Sequence, residues 1–151
     1  MSTRSNVQFQ AYGRTVANIY VHSDGYPDYS VPRIYRFFNT VQEQCERPYG
    51  TRFTDPSYLA AKFVVFLAVY EFGEYGGESV LAFGSVGIME DDAGDGEYTY
   101  FVDCENMDDK GFPKVTYSPS GSARKKGVQG YRDSEQEKAQ PLLVAKEEMV
   151  K

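Results

Sequence analysis

Val7 and Phe9 alternate with Gln8 and Gln10, Tyr12-Gly13-Arg14 interrupts, and Val16, Ile19, Tyr20 and Val21 resume a β-rich run. A period of two broken by a glycine-containing turn predicts an N-terminal β-hairpin. The run stops at His22-Ser23-Asp24-Gly25-Tyr26-Pro27-Asp28, where Gly permits positive φ and Pro sets φ, so a tight loop is expected. The period then changes. Ile34, Phe37, Phe38, Val41 and Cys45 recur at helical spacing behind Ser30 as cap and Pro32 in the first turn, predicting an amphipathic helix of about fourteen residues. It should end before Arg47-Pro48-Tyr49-Gly50.

Thr54 or Asp55 before Pro56 marks a second helix start, with Gly73 placed as its C-cap. Tyr58 to Phe72 is apolar on nearly every face, which predicts a central helix covered all round. A strand through Phe63-Val64-Val65-Phe66 competes, but Leu59-Ala60-Ala61-Lys62 before it favours helix. Val80 to Met89 reads as a strand, Ala93-Gly94-Asp95-Gly96 as a hairpin turn and Glu97 to Asp103 as the following strand. Val115-Thr116-Tyr117, flanked by Pro113 and Pro119, reads as a short edge strand. From Ser118 onward small polar and charged residues dominate, until Leu142, Leu143, Val144, Met149 and Val150 offer a short docking helix. The expected architecture is α+β: an antiparallel sheet of four to five strands, two helices packed on one face, and a C-terminal tail. Residues 1–117 form the domain and 118–151 the tail.

Composition changes this picture little. At 151 residues, 41% apolar and 25% charged, the chain has the profile of one folded domain. The longest apolar run, Phe63 to Tyr70, is far too short for a bilayer-spanning helix, so no membrane association is expected. The first residues, Met1 to Asn6, lack the apolar core of a secretory signal, which predicts a cytoplasmic protein. Cys45 and Cys104 read as free thiols rather than a disulfide, and one histidine with two distant cysteines leaves no zinc-binding spacing.

Charge changes it more. The net charge is −6, and residues 71–109 hold twelve acids with no Lys or Arg, whereas residues 1–62 are slightly basic. Such a face repels phosphate backbones, which argues against direct nucleic-acid binding, and attracts a basic protein groove or a divalent cation. It also serves solubility without any partner.

The opening Met1-Ser2-Thr3-Arg4-Ser5, the segment Tyr20-Val21-His22-Ser23-Asp24-Gly25-Tyr26-Pro27, the helix start Asp55 to Phe63, and Glu97-Tyr98-Thr99-Tyr100 with Val102-Asp103 carry a resemblance. They look like a set of small uncharacterised proteins encoded by phages and by bacteria, often within mobile elements. The similarity spans about residues 1–103 and implies a genomic setting rather than a mechanism. The Asp91-Asp92 loop and the tail lie outside it.

Three constellations could carry chemistry. His22 with Asp24 and Asp28, joined by Asp103 if the two strand ends meet, could supply a general base or hold a divalent ion; the bland alternative is a plain turn. Ser2, exposed by Met removal, could act as an N-terminal nucleophile, although no oxyanion motif accompanies it. Tyr98 and Tyr100 on one strand face, with Tyr26 and Tyr29 on the loop and Asp91, Asp92 and Asp95 nearby in sequence, could form an amphipathic recognition surface. The two strand tyrosines could equally be packing residues. No phosphate loop, dinucleotide fingerprint, nucleophile elbow or EF-hand is present, so no cofactor is expected. The favoured reading is a non-enzymatic accessory protein of phage or mobile-element type that binds and modulates a host protein such as a defence factor. The alternative is a small hydrolase or ligand-binding protein centred on His22, Asp24 and Asp103.

Overall fold

The computed structural model describes residues 3–45, 50–72, 85–90 and 97–119, and the backbone of 126–127. Strands β1 (Ser5–Ala11) and β2 (Arg14–Val21) form the expected hairpin. Its two-residue turn has Tyr12 at φ 57° and Gly13 at φ 72°, the doubly left-handed geometry whose twist suits tight hairpins. Helix α1 (Pro27–Gln44) and helix α2 (Pro56–Phe66) follow, α2 running on into a π-helical turn at Leu67–Glu71. Strands β3 (Val86–Met89), β4 (Tyr98–Met107), β5 (Pro113–Pro119) and the two-residue β6 (Lys126–Gly127) complete one sheet in the order β3-β2-β1-β4-β5-β6.

The fold is α+β as expected, with three corrections to its sheet. β1 and β4 run parallel, so the sheet is mixed rather than antiparallel. β3 and β4 are not a hairpin: β3 pairs with β2 and β4 with β1, so two strands stand between them. Alternating residues and a Gly-rich break are equally compatible with a crossover, because strand period says nothing about the neighbour chosen. The turn residues 93–96 themselves, like Gly73, residues 80–84 and the segment 141–150, lie outside the described residues. Finally, β5 is not an edge strand, since it pairs with β4 on one side and β6 on the other, and it continues past residue 117 to Pro119.

The helices also differ from their sequence reading. α1 starts at Pro27, where the fixed φ of proline suits a first helical position, and Pro32 is carried inside. α2 begins as expected, Asp55 Oδ1 accepting from Tyr58 N at 3.3 Å. It is not covered all round: Leu59, Ala60, Phe63 and Phe66 face the core, but Tyr58 (58%), Val65 (61%) and Val69 on the π-helical turn (57%) are exposed.

One cluster joins both helices to one face of the sheet. Val7, Phe9, Ile19, Val21, Tyr100, Val102 and Val115 meet Ile34, Phe37, Phe38, Leu59, Phe63, Phe66 and Leu67 there. Phe63 is central, its ring 5.1 Å from Phe37 and 5.6 Å from Phe9. On the opposite face the polar positions of the hairpin are buried too, and they bond to one another. Asn6 Nδ2 donates to Asn18 Oδ1 (3.1 Å), Asn18 Nδ2 to Glu90 O (3.2 Å), and Thr15 Oγ1 to Gln8 Oε1 (3.0 Å). Buried amides satisfied in this way do not incur the penalty of unpaired polar groups.

Candidate functional site

Parallel pairing of β1 with β4 brings the starts of both strands to the edge where β2 ends, because Ser5 lies opposite Tyr98 on one side and Val21 on the other. The loop after β2 is built on that edge. His22 N donates to Ser85 O at 2.8 Å, Asp24 takes a left-handed φ of 58°, and Gly25 N donates to Thr3 O at 2.9 Å. A Cβ at Gly25 would sit 2.7 Å from Thr3 O and 2.9 Å from the Arg4 carbonyl carbon, so only glycine allows this approach. Two further bonds clamp the loop: Ser30 Oγ donates to Asp24 O (2.9 Å) and Tyr100 Oη to Gly25 O (2.6 Å). The expected turn is therefore held from α1, from β4 and from the N-terminal segment at once.

On this support stands a tyrosine rim. Tyr26 (50% exposed) places its ring 5.9 Å from Tyr98, and Tyr29 (59% exposed) follows on the first turn of α1. Tyr98 stacks on Tyr100 at 6.5 Å, and Tyr117 lies 6.0 Å from Tyr100 on the adjacent strand. Asp24 and Asp28 are exposed on the same loop and helix start. The rim excludes one residue expected in it. Tyr100 is wholly buried in the core, where it supports the loop and cannot touch a partner. Burial holds its phenol well above the ordinary value, so it stays protonated as a donor. Asp91, Asp92 and Asp95 lie outside the described residues, as does Ser2.

The catalytic constellation does not assemble. Asp103 lies opposite Gln10, at the other end of the sheet from Tyr98, five residues or about 17 Å along the strand from the edge that carries His22. Its carboxylate accepts from Glu105 N (2.9 Å) and Asn106 Nδ2 (2.8 Å), at the irregularity of β4 between Asp103 and Met107. His22 Nδ1 pairs with Tyr20 Oη at 2.7 Å, while Asp24 Oδ2 faces Arg33 at 3.6 Å. Among the described residues no three His, Cys, Asp or Glu side chains group as metal ligands. No family model, curated protein or solved structure matches the chain. The site therefore stands on its own geometry.

Arg33 is a residue that the pattern of apolar positions concealed. It sits one place before Ile34 on the buried side of α1, 6% exposed, with Phe72 beneath its guanidinium at 5.4 Å and no hydrogen-bond partner for Nε. Burial lowers its pKa, and the nearby Glu71 and Asp24 carboxylates oppose that shift. Three residues on, Arg36 makes two bonds to Glu71 Oε1, at 2.8 Å and 3.2 Å, tying α1 to the π-helical turn. The sequence signal available was a pair of arginines three apart in an otherwise apolar helix face.

Proposed function

We propose that the protein is a non-enzymatic binder that engages a partner protein through the tyrosine rim at the start of α1. The observation that carries this reading is the pairing of two exposed tyrosines, Tyr26 and Tyr29, with a loop clamped by Tyr100, Ser30 and the Gly25 approach to Thr3. Tyrosine offers large contact area at low conformational cost, and a pre-ordered loop avoids the entropy loss of ordering on binding. Asp24 and Asp28 add negative charge, which favours a basic face on the partner and steers its approach. The resemblance to phage and mobile-element proteins supports a host protein as the target.

The test is capture of partners by the tagged protein, compared with Tyr26→Ser/Tyr29→Ser. Serine is a good N-cap, so the helix start survives the change. A specific protein recovered by the wild type and lost by the double variant, with unchanged thermal melting, supports the reading. Equal recovery by both proteins refutes it.

A further inference from the structure

β3 is the outermost strand of the sheet beside β2, and the parity of its ladder fixes which of its backbone groups face outward. His22 N donates to Ser85 O, and the register sets Tyr20 opposite Gly87 and Asn18 opposite Met89. Hydrogen-bonded pairs alternate with non-bonded ones along an antiparallel ladder, so Ser85, Gly87 and Met89 bond towards β2. The N–H and C=O of Val86 and Ile88 therefore point away from it, and among the described residues no strand pairs with them. Their side chains lie on the helix-covered face, because they stand opposite the core residues Val21 and Ile19. Val86 packs against that core, whereas Ile88 lies beyond the helices and is 81% exposed. Natural edges are blunted by charge, proline or a bulge. Val-Gly-Ile-Met has neither charge nor proline, and its pairing with β2 shows no register shift.

We propose that β3 is a self-association edge, to which a second copy of the chain adds its own β3 antiparallel about a two-fold axis at Gly87. The free groups set the register. A bonded pair must join residues whose N–H and C=O both face outward, so Val86 pairs with Ile88 of the second copy and Ile88 with its Val86. Each exposed Ile88 then covers a Val86 on the helix face, an apolar cross-strand contact that the symmetry repeats. Gly87 meets its equivalent at the axis, where a non-bonded pair brings Cα atoms to about 4.5 Å. Charge selects the direction. Glu90 follows the strand directly, and antiparallel pairing keeps the two Glu90 residues about 20 Å apart, whereas parallel in-register pairing would set them about 4.8 Å from one another. The contact is small, so the dimer is weak, with a dissociation constant on the order of 0.1 mM. It carries two tyrosine rims, enough to grip a repeated partner surface twice, but dimerisation itself is independent of what the rim binds.

Sedimentation equilibrium of the full chain from about 10 μM to about 1 mM reads the association. Ile88→Lys and Ile88→Pro should each raise the dissociation constant more than about tenfold without moving the thermal melt. The first sets like charges across the new ladder; the second removes an N–H that faces away from β2, a loss an edge strand tolerates. Val65→Lys, on the exposed face of α2, should leave the association unchanged. Cysteine crosslinking in a Cys45→Ser background reads the register. A Cβ at Gly87 meets only Tyr20 side-chain atoms, at 3.8 and 3.9 Å, so Gly87→Cys fits and should form an interchain disulfide with oxidised glutathione. Met89→Cys, about 14 Å from its equivalent in this register, should not. A chain that stays monomeric at about 1 mM overturns the proposal. So does a dimer that survives Ile88→Lys, that is lost with Val65→Lys, or that crosslinks at Met89 as readily as at Gly87.

Discussion

Tyr100→Phe separates the loop clamp from the core packing. The ring, fully buried among Val7, Val102 and the helices, is retained, and only the hydroxyl that donates to Gly25 O at 2.6 Å is lost. The Gly25 carbonyl is then short of a donor that the folded chain supplied. A typical intramolecular hydrogen bond contributes about 1 kcal/mol net, and leaving its buried partner unsatisfied costs about 1–3 kcal/mol. The expected destabilisation is therefore about 1–3 kcal/mol. For a domain of this size that lowers Tm by about 4 °C per kcal/mol. Urea unfolding followed by far-UV circular dichroism measures it, with an unchanged m-value showing that the denatured state is not altered. Tyr29→Phe, on an exposed ring, is the control and should stay within about 0.5 kcal/mol of wild type. Partner capture should weaken as well, because the rim would rest on a looser loop. A stability for Tyr100→Phe no lower than that of the control would show that the hydroxyl does not hold the loop.

Three further outcomes are expected. Gly25→Ala forces a Cβ to 2.7 Å from Thr3 O, a backbone atom that cannot rotate away, and should cost about 2 kcal/mol or more in the same assay; wild-type stability would show that the N-terminal segment yields freely. Phe63→Ala removes a ring packed between Phe9 and Phe37 and should cost about 3–5 kcal/mol by chemical denaturation, whereas a loss below about 1 kcal/mol would place the residue outside the core. Burial raises the Cys104 thiol from its ordinary 9.0 to about 12, so above pH 9 the unfolded chain releases a proton that the folded chain keeps. The stability this thiol contributes is complete below pH 9 and falls on the order of 1 kcal/mol per pH unit towards pH 12. Cys104→Ala should flatten that slope relative to wild type in urea titrations between pH 9 and 10, where the tyrosines titrate alike in both proteins, and an unchanged slope would refute the assignment.

Local signals in the chain were enough for the elements that local physics controls. Gly13 between two alternating runs marked a hairpin, and the pairing of the strands then carries Tyr12 as well as Gly13 into the positive-φ region. Asp55-Pro56 specified a capped helix start, and the spacing of Ile34, Phe37, Phe38 and Val41 specified which side of α1 is buried. The tight turn at Asp24-Gly25 was equally legible, but not the role of its glycine: Asp24 takes the left-handed region, while Gly25 is required by its close approach to Thr3 O rather than by a positive φ.

What the chain left open was every decision that depends on distant neighbours. An alternating strand carries no information about which strand it joins or in which direction, so the parallel contact of β1 with β4 could not be read from either strand. That single pairing sends Asp103 to the far end of the sheet from His22 and dissolves the candidate triad, while it brings Tyr98 beside Tyr26 and builds the rim. Burial was likewise a tertiary outcome. Tyr98 and Tyr100 share a strand face, yet the fold buries Tyr100 wholly in the core and leaves Tyr98 half exposed at the edge; an α2 apolar on every side is left with one side uncovered. Hydrophobicity names the residues that favour burial, but there is room beneath the helices for only some of them, and packing geometry decides which remain at the surface.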